Sequence, residues 1–241
     1  MAKDKGASLN PNNANAENAD ELSAKMMTYL ARIYRLLDLH QPAEGIIGTS
    51  VLADTLEVTA PAVNRMINRL KEQGLLEHEP YRGIRLTERG EREALRQLRA
   101  QRIAESFLVK VMGLHWTLVH DEAERLASAL SDPLIDRMNA MAGYPRTCPH
   151  GEPIPDAEGQ IEAMNDHLLS QAQAGDHLRI TRLRTREADR LNYIEALGLM
   201  PGTELIVHHV SPFNGPLQLR LHNEYRIIGS NLAELIRVRP A

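Results

Sequence analysis

The chain has 241 residues, 43% of them apolar and only 4% aromatic, with a formal net charge of −4. That length suits one to three small domains, and the scarcity of rings favours helix-packed cores of Leu, Ile, Val, Met and Ala over an aromatic-rich β sandwich. A lone cysteine, Cys148, excludes an intramolecular disulfide. No run reaches the roughly 18 apolar residues of a membrane span, and the first 20 residues lack the apolar centre of a signal peptide, so a cytoplasmic protein with no membrane partner is expected. With no global positive charge, any nucleic-acid binding must come from a local patch.

In chain order, residues 1–20 are rich in Asn and Ala with little to bury, and read as a disordered arm. From Leu22 to His40, Met26, Leu30, Ile33, Leu36 and Leu37 recur at helical spacing. The stretch GTSVLADTLEVTAPAVNRMINRLKEQGLLEHEPYRGIRLTERG follows, at 48–90. Thr49 or Ser50 can cap a short helix, and Thr59 can cap a second that tolerates Pro61 in its first turn. In that second helix Val63, Met66, Ile67 and Leu70 form a buried stripe, while Ala62, Asn64, Arg65, Asn68 and Arg69 face outward. Asn and Arg near a helix N-terminus suit a major groove, where Arg pairs with guanine and Asn with adenine. LLEHE and GIRLTE then flank PYRG as a β hairpin whose Arg82 and Arg85 would join Arg65, Arg69, Lys71 and Arg89 at phosphates. A winged helix-turn-helix over 21–92 and a double-stranded DNA operator are the expectation.

A long helix starts at Thr87 and reaches about Met112, a second runs from about Trp116 to Leu130, and a third is capped by Ser131. Their apolar faces predict a helical dimerisation domain, 93–145, since a two-fold DNA site calls for a homodimer. Gln101 with Glu105, and His120 with Glu124, each stand one turn apart, so two neighbouring helices can offer four converging ligands. Carboxylate, imidazole and amide without thiolate would suit Mn²⁺ or Fe²⁺, although such spacing is also common on solvated faces. A Pro- and Gly-rich connection, GYPRTCPHGEPIP, opens a linker over 146–174. Cys148 and His150 within it lack an evident third partner and read as a structural turn. Over 175–241 the short runs LRITRL, LIVHHV, LQLRLH and YRIIGS, with one helix between the first two, predict a small SH3-like β barrel. The fold class is therefore mainly α with small β parts. No phosphate-binding glycine loop or other enzyme motif is present, so catalysis is not expected.

The wing run YRGIRLTERG, the helix start VHDEAERL, the ALSD break, TCPHGEPIP and the terminal EALGLMPGTEL together resemble the DtxR/MntR group of metal-dependent repressors with a C-terminal FeoA/SH3-like domain. The resemblance implies a dimeric repressor controlling iron or manganese homeostasis genes, with Fe²⁺ or Mn²⁺ as effector and Thr59, Pro61, Asn64 and Arg65 facing DNA. It places the family's primary metal site at Thr28, Ala31, Glu124, Ala127 and Ser128, of which only Glu124 is a good ligand, so that site is expected to be absent. Its ancillary site falls on Gln101, Glu105, His120 and Glu187, with Arg190 where an amide would stand. Arg190, a permanent cation, can instead pair with Glu105, Glu187 or Glu124 and replace the metal. Two alternatives remain open: a metal-independent winged-helix regulator built on Arg190 ion pairs, and an interaction protein acting through its FeoA-like module.

Overall fold

The structure, a computed structural model, describes residues 22–40, 42 and 44–241; the N-terminal arm lies outside the described residues. α1 (Ala24–His40), α2 (Thr49–Leu56) and α3 (Ala60–Glu72) are followed by the hairpin β1 (Leu76–Glu79) and β2 (Gly83–Leu86). Their shared core takes the predicted stripe of α3, Val63, Met66, Ile67 and Leu70, together with Met26, Leu30, Ile33 and Leu36 of α1. The caps differ in detail. Thr59 holds the N-cap position of α3 and Gly48 that of α2, neither with a side-chain cap bond, and Glu57 closes α2 in the left-handed region at φ 51°. The hairpin is anchored from below: Ile47 exchanges two backbone hydrogen bonds with Ile84, each 2.9 Å. Gly83 permits this approach, because a Cβ there would sit 2.2 Å from the Ile47 carbonyl oxygen.

The central helices are α4 (Glu88–Lys110), α5 (Val119–Ala127) and α6 (Asp132–Met141). Thr87 caps α4 by accepting from the Gly90 amide at 3.1 Å. Ile103, Ala104 and Leu108 of α4 pack on Val119 and Ala123 of α5 and on Ile135 and Met138 of α6. Leu118, Leu126, Leu134 and Met141 of this region remain exposed.

The C-terminal module is a six-stranded antiparallel sheet of order β3-β8-β4-β5-β6-β7. Its strands are β3 (His167–Leu168), β4 (His177–Leu183), β5 (Glu204–Val210), β6 (Leu217–Leu221), β7 (Glu224–Ile228) and β8 (Ile236–Pro240), with α7 (Ala188–Ala196) after β4 and a short α8 (Ser230–Ala233) before β8. The first strand thus lies inside the stretch that the sequence marks as linker. Trp116, from the loop between α4 and α5, belongs to the apolar cluster of this module rather than to that of the helices. Its indole N–H donates to Glu195 at 2.8 Å. Among the described residues no helix is long and apolar enough to cross a membrane.

Candidate metal centre and nucleic-acid interface

Glu105 faces inward from the middle of α4 and is 1% exposed. Its Oε1 meets His120 Nδ1 of α5 at 2.8 Å, and its Oε2 meets His150 Nδ1 at 3.3 Å. Cys148 Sγ lies 3.9 Å from the same His150 nitrogen. The loop Thr147–Pro153 is closed by an isolated bridge between its ends and docks on β4, where the Leu183 amide donates to the His150 carbonyl at 3.0 Å. Gly151 makes that docking possible: it sits at φ +87°, and a Cβ would stand 2.0 Å from the Thr181 carbonyl oxygen.

Ligand atoms of Glu105, Cys148 and His150 all lie within 4.8 Å of one another, and all three residues are buried. Donors at about 2.0–2.3 Å from a tetrahedral ion stand roughly 3.3–3.8 Å apart; the Glu105–His150 contact at 3.3 Å meets that spacing and the Cys148–His150 contact at 3.9 Å lies just beyond it. Burial alone would push the Glu105 carboxyl up, but hydrogen bonds from His120 and His150 overcome it and hold the group well below its ordinary value. Burial pulls His120 down and drives the Cys148 thiol up. An ionised carboxylate only accepts, so each Nδ1 facing Glu105 carries its proton there. His150 Nε2 is buried with no partner among the described residues. The donor set fits a divalent cation: the His150 imidazole, the Glu105 carboxylate and the Cys148 thiol converge, His120 holds the other oxygen of Glu105, and the imidazole and thiol protons are the species an ion would displace.

The other ligands expected from the sequence do not join this cluster. Gln101 is buried next to it, its amide nitrogen 3.3 Å from His120 Nδ1, yet its oxygen accepts from Arg35 of α1 at 2.8 Å. Glu124 is taken by Arg32, whose Nε and Nη2 bond its two oxygens at 3.1 and 2.8 Å. Glu187 is exposed and pairs with Arg190 one helical turn away at 2.8 Å. Of the three partners expected for Arg190, Glu187 is the one it meets; Glu124 is taken by Arg32 of α1, and Glu105 by His120 and His150. The reading of Cys148 and His150 as a bare structural turn is corrected, because α4 supplies the third partner, Glu105, from 43–45 residues upstream. Cys148 also places sulfur beside the candidate donors, which the expected set lacked. Of the positions aligned with the primary site, Ala31 and Ala127 are buried in packing, and Ser128 Oγ is turned to the Arg125 carbonyl at 3.4 Å.

Behind the cluster, Glu152 serves three guanidiniums: Arg182 at 3.1 Å, Arg186 at 3.4 Å and Arg102 at 3.6 Å. Although burial opposes it, the Coulombic pull of Arg102, Arg186 and Arg182 takes its carboxyl down to about 2. Sequence reasoning misses all three arginines. A signal was there: Arg179, Arg182, Arg184 and Arg186 crowd one strand and its end.

Within the winged helix, α3 exposes Pro61, Asn64, Arg65, Asn68 and Arg69 along one face, with Thr59 at its start. Arg65, Arg69 and Lys71 take part in no ion pair among those found in the described residues. The wing arginines are different: Arg82 pairs with Glu44 and Glu79, and Arg85 with Glu77. Counted with their partners, they add no net positive charge, whereas Arg65, Arg69 and Lys71 of α3 do.

A winged helix joined to a helical domain with a buried His/Cys/Glu cluster and an SH3-like module defines a transcription-factor class built around a metal-type pocket. Residues 21–84 match the N-terminal DNA-binding domain of iron-dependent repressors, residues 87–156 their metal-binding and dimerisation domain, and residues 167–240 the FeoA domain. The chain is 35% identical over 137 residues to the iron-dependent repressor IdeR of Mycobacterium tuberculosis, covering 56% of this chain and 57% of that one. It is 36% identical over 118 residues to an HTH-type transcriptional regulator of Methanocaldococcus jannaschii, covering 48% of this chain and 91% of that one. A solved manganese-dependent transcriptional repressor in complex with manganese superposes with a TM-score of 0.83 at 32% identity, covering 90% of this chain and all of that one. The chain belongs to the iron-dependent repressor family, the DtxR/MntR group. Its match spans somewhat more than half the length of the IdeR relatives.

Proposed function

We propose that this chain is a homodimeric, DNA-binding transcriptional repressor of iron or manganese homeostasis genes whose effector is a divalent metal ion. The carrying observation is α3: one face is wholly buried while the other presents Asn64, Arg65, Asn68 and Arg69, with no ion pair to either arginine among the described residues. The exposed Leu118, Leu126, Leu134 and Met141 of the central helices supply the apolar surface a two-fold contact needs. Glu105, His120, Cys148 and His150 would hold the ion, which when bound supplies a fixed positive charge joining α4, α5 and the loop docked on β4. A donor set containing a thiolate favours Fe²⁺ over the harder Mn²⁺.

The test pairs selection of duplexes from a random-sequence library with metal titration of chelator-stripped protein. The native protein should recover a two-fold sequence, and Arg65→Ala should bind it about tenfold or more weakly while remaining dimeric. Recovery of no enriched sequence would refute the DNA reading. Cys148→Ser should lose Fe²⁺ affinity more than Mn²⁺ affinity; equal losses would remove the thiolate from the site.

A further inference from the structure

Helix α1 belongs to the winged helix, the reading head of the proposed repressor, yet one of its stripes faces the rest of the molecule. Arg32 and Arg35 stand three residues apart, with Asp38 and Leu39 on the following turn. Arg32 bonds Glu124 of α5 with both arms of its fork, and Arg35 bonds Gln101 of α4. Asp38 receives Arg182 of β4 at 2.8 Å, and the Leu39 carbonyl accepts from Arg184 at 3.0 Å. A single helix face therefore touches the dimerisation helices and the FeoA module at once.

These links are polar; α1 also packs along α4, whose Ala94 lies in the apolar cluster of α1, but it shares no apolar cluster with α5. Among the described residues, no α1 side chain enters the apolar cluster of the central helices or that of the β module. The space beside the stripe is a cavity of about 970 Å³ lined by Arg32, Arg35, Asp38, His120, Arg184 and Glu187 among others. Where two helices share no apolar cluster, as α1 and α5 here, directional ion pairs set the angle between them. The Arg32–Glu124 pair is the one suited to that role: it is bidentate, its side chains are only 30% and 20% exposed, and it joins residues 92 positions apart. An arginine stays charged at any physiological pH, so this cross-link needs neither an added ion nor a protonation step.

We propose that Arg32 is a positioning residue for DNA binding: its guanidinium acts as a built-in cation that clamps α1 to α5 and fixes the pose of the recognition helix in metal-free protein. This rests on the DNA-binding reading above. An ion at Glu105 would then strengthen a pose that already exists instead of creating it, and the response to metal becomes graded.

The experiment uses full-length, chelator-stripped protein carrying spin labels at Glu72→Cys on α3 and Glu122→Cys on α5, both exposed, diluted with unlabelled chain; Cys148 is buried and escapes labelling. The native protein should show one narrow label-to-label distance without metal. Arg32→Met should broaden it and weaken binding to the library-selected duplex by about tenfold, within the usual range of coupling between two sites. The charge-swapped double variant Arg32→Glu with Glu124→Arg should restore both, which a merely destabilised fold would not do. If Arg32→Met fails to fold, Arg32→Lys, which keeps the charge and loses the fork, should show the same broadening in smaller degree. A native-like narrow distance in Arg32→Met, or a broad native distance that only Mn²⁺ narrows, overturns the proposal. Should the native protein select no duplex, the DNA reading fails while the distance still decides the clamp.

Discussion

At the level of single residues, charge is placed with unusual density against one carboxylate. Glu152 faces Arg102, Arg182 and Arg186, and its carboxyl falls from an ordinary 4.5 to about 2. A depressed carboxyl contributes stability that is present above its unfolded value and lost as the pH falls through its folded value. The window is therefore about pH 4.5 down to about 2, and the contribution at neutral pH is on the order of 3 kcal/mol. Glu152→Gln should lower stability at pH 7 by a similar amount and flatten the acid limb of a stability-against-pH curve measured by denaturant unfolding. An acid limb with the native slope would mean that other carboxylates carry it. Neighbouring Arg35 shows the other side of the crowding: burial first, then Arg102 and Arg186, bring it down to about 10.

Among the elements, the Thr147–Pro153 loop brings two of the converging donors to the candidate metal site. It lies between α4 and β4, held on β4 by the His150 carbonyl, the Arg182–Glu152 pair and the close approach at Gly151, and on α4 by Arg102 and Glu105. Gly151→Ala combines a strained left-handed backbone with a clash against the Thr181 carbonyl, and should cost about 2–4 kcal/mol in denaturant unfolding. It should also weaken metal binding, since the loop must retreat from β4 and carry His150 with it. A stability change within about 0.5 kcal/mol would show that the loop adjusts freely. Much of this level is legible in the sequence. The stripe of α3 is a local pattern of period 3.6, and Gln101, Glu105 and His120 stand on helices that the same periodicity locates. Cys148 and His150 are visible as a pair. Their third partner is not, because no local rule links a proline-rich loop to a glutamate on a helix before it. Arg32 and Arg35 leave a fainter mark: two guanidiniums at i, i+3 on a largely apolar helix already signal a face that needs anions. Glu124, which answers Arg32, reads from spacing alone as a metal ligand, and only the fold shows it engaged.

Across the whole molecule, three apolar clusters are joined by polar contacts and by a few apolar side chains, Ala94, Val109 and Trp116. The reading head, the central helices and the β module each bury their own aliphatic core. Trp116 crosses from the helical chain into the β module's core, and Arg182 reaches from β4 to Asp38, Glu152 and Asp166. Such joints resist a change of angle less than a continuous aliphatic core would.

Trp116 is also the only tryptophan in the chain, and its ring centre lies 5.6 Å from that of His150. The protein thus carries a native optical gauge at the seam between the FeoA module and the metal pocket. Excited at the red edge of tyrosine absorption, its emission should be blue-shifted while the module is docked. Adding Fe²⁺ should quench it without moving the maximum, whereas undocking should move the maximum to the red. Binding and undocking would then be followed separately, in unlabelled protein, by one wavelength scan. Quenching by Fe²⁺ that survives Glu105→Gln would place the ion elsewhere.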